Sequence, residues 1–357
     1  MKLVIVGGVA GGASAAARAR RIDENAHIVL FERGEHISFA NCGLPYHIGG
    51  VIQDRAALLV QTAAGLRGRY DVDVRLRTEV TRIDRERKMV EWRNTGTGET
   101  GEETYDKLIL APGAAPVRPP FPGAELDRVF TLRNMADMDR IREFIDRRKP
   151  VRAVVIGGGY IGLEMVENLV HRGVGVTLIE LLPQVLSVAD SEMAVPVQQV
   201  LRARGVELRL GKQVTGVEVA GEGLVAHLSD GSDAPCDFVA LSVGVKPEVK
   251  LAKEAGLELG ERGGIAVDSH MRTSDPAIFA VGDAVETPDL VTGAKAVIPL
   301  AGPANRQGRI AADNALGRDS EYRSTQGTAI VRVFDVALAM TGASEKALKR
   351  AGVAYQK

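Results

Sequence analysis

Val154-Val155-Ile156-Gly157-Gly158-Gly159-Tyr160-Ile161-Gly162 decides the fold of this 357-residue chain. A β-branched run that ends in Gly-x-Gly-x-x-Gly reads as a buried strand turning sharply into a helix. Gly157, Gly159 and Gly162 let backbone amides approach a pyrophosphate at the helix N-terminus, where the peptide dipoles favour anions. The pattern predicts a strand over Arg152–Ile156, a helix to about Arg172 and a second strand over Gly175–Glu180. Glu180 stands 18 residues after Gly162, where a carboxylate accepts a ribose hydroxyl hydrogen bond. It would repel a 2′-phosphate, and no Arg follows in Leu181-Leu182-Pro183-Gln184. NADH is therefore favoured, with NADPH possible.

The amino terminus repeats this grammar. A strand over Lys2–Val6 leads into Gly7-Gly8-Val9-Ala10-Gly11-Gly12, an Ala-rich helix to about Ile22 and a strand over Ile28–Glu32. Val9 replaces the middle glycine, while Glu32 keeps the acid position 20 residues beyond Gly12. Two such units predict an α/β chain with two Rossmann-like dinucleotide-binding domains. Between them, strands are expected near Glu79–Ile83, Met89–Arg93 and Thr104–Leu110, ending in Ala111-Pro112-Gly113. A linker rich in proline follows, at Pro116, Pro119, Pro120 and Pro122. Later expectations are a helix over about 190–204, strands near Val214–Val219, Val225–Leu228 and Phe238–Val243, and a further unit from Ala329–Phe334.

Composition excludes other classes. A net charge of -1 and 4% aromatic content leave no basic or stacking surface for nucleic acid. The first apolar run is too short for a signal peptide, and no long apolar segment suggests a membrane partner. Two cysteines, Cys42 and Cys236, make no disulfide framework, and the cytoplasm is the expected compartment. No metal is called for.

Thr273-Ser274-Asp275-Pro276-Ala277-Ile278-Phe279-Ala280-Val281-Gly282-Asp283 supplies a further signal. A strand ending in Gly-Asp after the second nucleotide unit resembles the second FAD motif of two-dinucleotide flavoproteins. With both Gly-rich loops, it makes the chain resemble the pyridine nucleotide–disulfide oxidoreductase family, with a fold of the glutathione-reductase type. The resemblance implies an FAD domain over 1–111 and 245–324 and an NAD(P) domain over 112–244. It also implies that 325–357 begins an α+β dimerisation domain, only the start of which is present, so a homodimer is expected. FAD contacts are expected at Gly7, Val9, Gly12, Glu32, Ala111, Pro112, Gly113, Asp283, Pro299, Leu300 and Ala301. Nicotinamide dinucleotide contacts are expected at Gly157, Gly159, Tyr160, Ile161, Gly162, Glu164 and Glu180. Tyr160 matches the tyrosine covering the flavin, and Glu164 a glutamate near the nicotinamide.

The segment Ser38-Phe39-Ala40-Asn41-Cys42-Gly43-Leu44-Pro45-Tyr46 carries the chemistry. Many family members hold a C-x4-C redox disulfide, but here His47 occupies the partner position, so Cys42 is the expected catalytic residue acting alone. Its surroundings are similar to those of coenzyme A disulfide and persulfide reductases. The resemblance implies a thiolate stabilised at a helix N-terminus, attacking a coenzyme A persulfide, disulfide or polysulfide. Substrate contacts are expected at Arg18, Arg21, Ser38, Asn41, Arg69 and Tyr70, with Arg18 and Arg21 facing one groove. Single-cysteine NADH oxidases and peroxidases carry a histidine in the first Gly-rich loop. Ala10 stands there, which makes that reading, and that of a thiol sensor with little turnover, the alternatives. Cys236 reads as a buried strand cysteine.

Overall fold

A computed structural model describes residues 1–357. Nine α-helices follow in chain order: α1 (Ala10–Ile22), α2 (Leu44–Ile48), α3 (Ala63–Tyr70), α4 (Met135–Arg148), α5 (Tyr160–His171), α6 (Ser191–Ala203), α7 (Lys250–Glu254), α8 (Ala301–Ala315) and α9 (Glu345–Ala351). The chain packs as two units. One comprises Met1–Phe39, Leu59–Ala115 and Lys246–Gly327; the other comprises Ala40–Leu58, Pro116–Val245 and Thr328–Lys357.

The first unit is built on a five-stranded parallel sheet. Lys2–Val6 is central, flanked by His27–Phe31 and Lys107–Leu110. Its strands are buried on both faces, as parallel strands covered by other layers must be. Leu3 and Ile5 pack with Ala15, Ala16 and Ala19 of α1 and with Ala311 and Ala312 of α8. Val4, on the opposite face, packs with Val80, Ile83 and Val90. Those last three belong to an antiparallel sheet of Thr78–Asp84, Met89–Asn94 and Thr100–Thr104.

One expected strand is two. Thr104–Leu110 divides because Tyr105 donates its backbone N–H to the Lys88 carbonyl, while Asp106 Oδ2 accepts from the Lys2 N–H at 2.6 Å. The turn between them sends Thr100–Thr104 into the antiparallel sheet and Lys107–Leu110 into the parallel one. Period-2 burial continued across the break and concealed it.

The second unit repeats the plan. Its parallel sheet runs Glu207–Leu210, Gly175–Glu180, Arg152–Ile156, Phe238–Leu241, Val129–Thr131, with an antiparallel sheet of Val214–Ala220, Gly223–Leu228 and Asp233–Cys236. Val154, Ile156 and Val239 pack against Val217, Leu224 and Ala226 of that smaller sheet. Helix α4 was not foreseen. Asn134 and Asp137 form a capping box at its start, and Phe144 meets Phe238 edge-on at 5.4 Å. Ala329–Val333 and Val336–Met340 form a hairpin in the same unit, too small for a core of its own. No helix is long and apolar enough to cross a membrane.

Candidate active site

Both Gly-rich loops are built by one backbone device. Gly7 has φ +97° and Gly157 φ +105°, conformations that disfavour any side chain. A Cβ on Gly7 would also run into the Ala111 carbonyl, and one on Gly157 into the Ser242 carbonyl. Gly12 lies against the Gly7 carbonyl, as Gly162 does against that of Gly157. These close approaches leave the first turns of α1 and α5 open to an anion. The fit to a dinucleotide pyrophosphate is thus written in contacts that only glycine permits.

The two acids are held alike. Glu32 accepts the Gly8 N–H at 2.8 Å and the Gly34 N–H at 2.7 Å. Glu180 accepts the Gly158 N–H at 2.6 Å and the Leu182 N–H at 2.8 Å. Each carboxylate is pinned beside its loop, where a ribose hydroxyl can donate to it.

In the first unit, the loop, Ala111 and the approach to Asp283 come together. A Cβ on Gly11 would lie 2.9 Å from Val281, 3.5 Å from the Ala304 carbonyl and 3.7 Å from Ala111. Pro112 follows, and the Gly113 carbonyl accepts the Glu248 N–H at 3.0 Å. Asp283 lies in a single turn, Gly282–Ala284, oriented by Gln307 of α8, which accepts the Gly282 N–H at 2.8 Å. Pro299 precedes Leu300, the N-cap of α8, and Ala301 opens that helix. Val9 and Ile161 each sit beside the start of a helix, half-buried and exposed respectively.

The expected substrate residues separate. Arg18 pairs with Asp313 of α8 at 2.8 Å. Arg21 instead donates to the Tyr70 hydroxyl at 3.0 Å, and the guanidiniums of Arg21 and Arg69 each lie over the Tyr70 ring, 5.5 and 5.4 Å from its centre. The two α1 arginines therefore hold different partners within the protein. Ser38 adopts φ +47°, with its N–H on the Gly8 carbonyl at 3.0 Å. Asn41 belongs to the second unit, where its amide donates to the Arg133 carbonyl at 3.4 Å.

Cys42 occupies a 3₁₀ turn, Asn41–Gly43, that runs into α2. The thiol is exposed, whereas Cys236 is buried and pushed up to about 12, chiefly by desolvation. Water reaches Cys42, yet enough protein surrounds it for desolvation to raise its pKa, and the Glu164 carboxylate raises it further. A backbone hydrogen bond favours the expected thiolate, but burial and Glu164 outweigh it. A helix as short as α2 carries little dipole, and the charge of Glu164 disfavours a thiolate. His47 is buried. Its Nδ1 bonds the Ile52 carbonyl at 2.8 Å, which makes Nδ1 the protonated nitrogen, and Nε2 accepts from Arg142 at 2.9 Å. Burial, then Arg142, hold His47 below the usual histidine value, so it is neutral.

An acidic group accompanies the thiol. Desolvation, then Glu167, push Glu164 up to about 7. Glu167, one turn further along α5, is buried and also raised, mainly by desolvation. Tyr46, one turn beyond Cys42, is raised by burial and by both carboxylates. Glu167 and Tyr46 carried no sequence signal of their own, because their roles depend on α2 packing against α5.

Two dinucleotide-type loops, each with its acid, and one exposed thiol thus occur in a single chain. Residues 1–298 match the family described as pyridine nucleotide-disulphide oxidoreductase, and the chain belongs to it. The chain is 36% identical to the coenzyme A disulfide reductase of Staphylococcus aureus strain JH9, over 98% of its own length and 78% of the relative's. Among solved structures, reduced Bacillus anthracis CoADR-RHD matches with 51% identity and TM-score 0.97. An NAD-dependent persulfide reductase from A. fulgidus matches with 39% identity and TM-score 0.95. These matches cover 99% of this chain, which spans only 64% and 65% of those two chains.

Proposed function

We propose that the protein uses NADH to reduce a coenzyme A persulfide, disulfide or related polysulfide through Cys42. One observation carries this reading: Cys42 is an exposed thiol, and the residue at the partner position, His47, is buried, neutral and bonded at both ring nitrogens. A disulfide on Cys42 must therefore be made with a substrate. The names of the similar proteins above support the substrate class.

In the first unit, Gly7, Gly12, Glu32 and Asp283 would hold FAD, with Val9, Ala111, Pro112, Gly113, Pro299, Leu300 and Ala301 lining it. In the second, Gly157, Gly159, Gly162 and Glu180 would hold the nicotinamide dinucleotide, with Tyr160, Ile161 and Glu164 beside it. When bound, the flavin supplies a two-electron path from nicotinamide to sulfur. The Cys42 thiolate attacks the outer sulfur of a persulfide, forming Cys42–S–SH and releasing the coenzyme A thiolate. Two electrons then cleave that S–S bond, yielding sulfide and the Cys42 thiolate. With a disulfide, the same attack forms a Cys42–coenzyme A mixed disulfide and releases one coenzyme A thiolate, and two electrons then cleave the mixed disulfide to the second thiolate and that of Cys42. Arg21, Arg69 and Tyr70 offer cationic and stacking groups to the adenosine phosphate end, with Arg18, Ser38 and Asn41 as further contacts. A thiol that must return to its free form suits a reducing cytoplasm, and a second copy of the chain would pair through the region beginning near 325.

The test is NADH oxidation with coenzyme A persulfide, coenzyme A disulfide, peroxide and oxygen, for wild type and Cys42→Ser. The sulfur substrates should turn over fastest, and only with Cys42 present. Peroxide or oxygen turnover well above both would replace this reading with that of an oxidase or peroxidase. Absence of turnover with all four would leave a thiol sensor.

A further inference from the structure

Helix α2 has five residues, too few to hold its own shape in water. Its last carbonyls are among the acceptors a helix leaves unfilled. The His47 carbonyl accepts the Gly50 N–H at 3.1 Å, and side chains from two distant helices add to the bonding of these carbonyls. Arg142 of α4 donates to the His47 carbonyl at 2.7 Å as well as to His47 Nε2, and Arg172, the C-cap of α5, donates to the Ile48 carbonyl at 3.1 Å. Asp146 of α4 links the two guanidiniums, bonding Arg172 and lying 3.6 Å from Arg142 Nε. Arg172, as its nearest donor, holds that carboxyl below the usual range.

A third anchor lies on the same face of α4. Asp139 receives Arg55 through Nε at 2.9 Å and Nη2 at 2.7 Å. Residues 139, 142 and 146 follow the spacing of one helical face, so α4 holds residues 47–55 as a rail holds a strip. On the α5 side, a Cβ on Gly49 would overlap the Asn168 side chain, so the chain presses on that helix too. Cys42 is the thiol at the other end of this fastened segment.

The geometry points to Arg142 as a positioning residue for Cys42. Acting with Asp146 and Arg172, it fixes the far end of α2 and thereby sets where the thiol stands and how it is solvated. His47 completes the contact as a neutral acceptor. The inference rests on Cys42 being the reacting thiol, as proposed above, but its test does not require turnover.

The experiment measures alkylation of Cys42 by iodoacetamide against pH in Arg142→Met, Arg142→Lys and Asp146→Asn, with Cys42→Ser as background. In the same proteins, reduction of bound flavin by NADH is followed by stopped flow. A misplacement near 1 Å can change reactivity a hundredfold, so Arg142→Met should change the alkylation rate by at least about tenfold. The midpoint of its pH profile should move as well. Flavin reduction should stay within about twofold, and Arg142→Lys should recover part of the rate, as a charge without the guanidinium fork. If Arg142→Met does not fold, Asp146→Asn gives the same direction at about threefold. A folded variant with the wild-type rate and midpoint overturns the inference, as does one in which alkylation and flavin reduction slow equally. If wild type shows no Cys42-dependent turnover, the proposed function fails, while a shifted alkylation profile still upholds the positioning role.

Discussion

The two Gly-rich loops share a backbone and differ in what surrounds it. Helix α1 is small-sided and packs so closely on α8 that a Cβ on Gly308 would overlap the Gly11 carbonyl. Its loop is walled by Ala111, Val281 and Ala304. Helix α5 carries Tyr160, Glu164 and Glu167 where α1 has Ala10, Ser14 and Ala17, and its loop has space around Gly159, where a Cβ would meet nothing. A walled loop suits a ligand that stays, and an open one suits a ligand that exchanges at every turnover. The same motif can thus serve a resident FAD and a visiting nicotinamide, with the distinction set by neighbours rather than by glycines.

The sharpest way to break this comparison is Gly12→Val. Its Cβ would overlap the Gly7 carbonyl, a backbone group that cannot turn aside as a flexible side chain would. Destabilisation of at least about 3 kcal/mol is expected. Flavin content per purified chain, read by absorbance, should fall to near zero, and urea unfolding should shift accordingly. A variant that keeps its flavin and its midpoint would show that the loop does not need this contact.

Next in size is Glu164→Gln, which tests the acid carried only by the second helix. The folded pKa of Glu164 is about 7, above the ordinary 4.5, so between these values the folded chain binds more protons than the unfolded one. Stability must therefore fall as pH rises from about 4.5 to about 7, by on the order of 2 kcal/mol. Glu164→Gln should flatten that slope in denaturant titrations. It should also lower the Cys42 pKa, since a carboxylate that raises it is gone. An unchanged slope and an unchanged thiol titration would remove Glu164 from the thiol's surroundings.

How far these features could be read beforehand depends on whether their cause is local. Both loops and both acids lie in stretches whose meaning is carried by short spacing, so Glu32 and Glu180 were legible. The start of α4 was legible in principle, since Asn134 and Asp137 have capping-box spacing before Met135, Met138, Ile141 and Ile145, all buried. The anchors on α2 were not, because Arg142 and Arg172 lie 95 and 124 residues from the carbonyls they fill. The partners of Arg18 and Arg21 were hidden for a related reason: helical spacing gives direction, while Asp313 and Tyr70 decide the contact. The raised Cys42 thiol was hidden for a related reason: burial is its first cause, and a glutamate of another helix its second.

Glu180→Ala tests the acid shared by both loops at the unit expected to choose between dinucleotides. The substitution removes an acceptor from the Gly158 and Leu182 N–H groups and the repulsion felt by a 2′-phosphate. The ratio of kcat/KM for NADPH over NADH should rise about tenfold, near 1.4 kcal/mol. A ratio that does not move would show that Glu180 serves only to brace the loop.

The smallest effect is expected of Gly159→Val, which gives the second loop the residue that the first carries as Val9. Gly159 has φ −78°, which any side chain adopts, and an added Cβ meets no atom within 4 Å. The fold should be indifferent, with Tm within about 2 °C of wild type. The visiting dinucleotide should not be, because a branched side chain would stand in the space its phosphates enter. KM for NADH should rise about fivefold, near 1 kcal/mol, with little change in flavin content. If KM is unchanged, a side chain at this position is as acceptable to an exchanging ligand as Val9 is in the first loop. The open space at Gly159 would then have no part in exchange, and the difference between the loops would rest on the walls of the first, Ala111, Val281 and Ala304, alone.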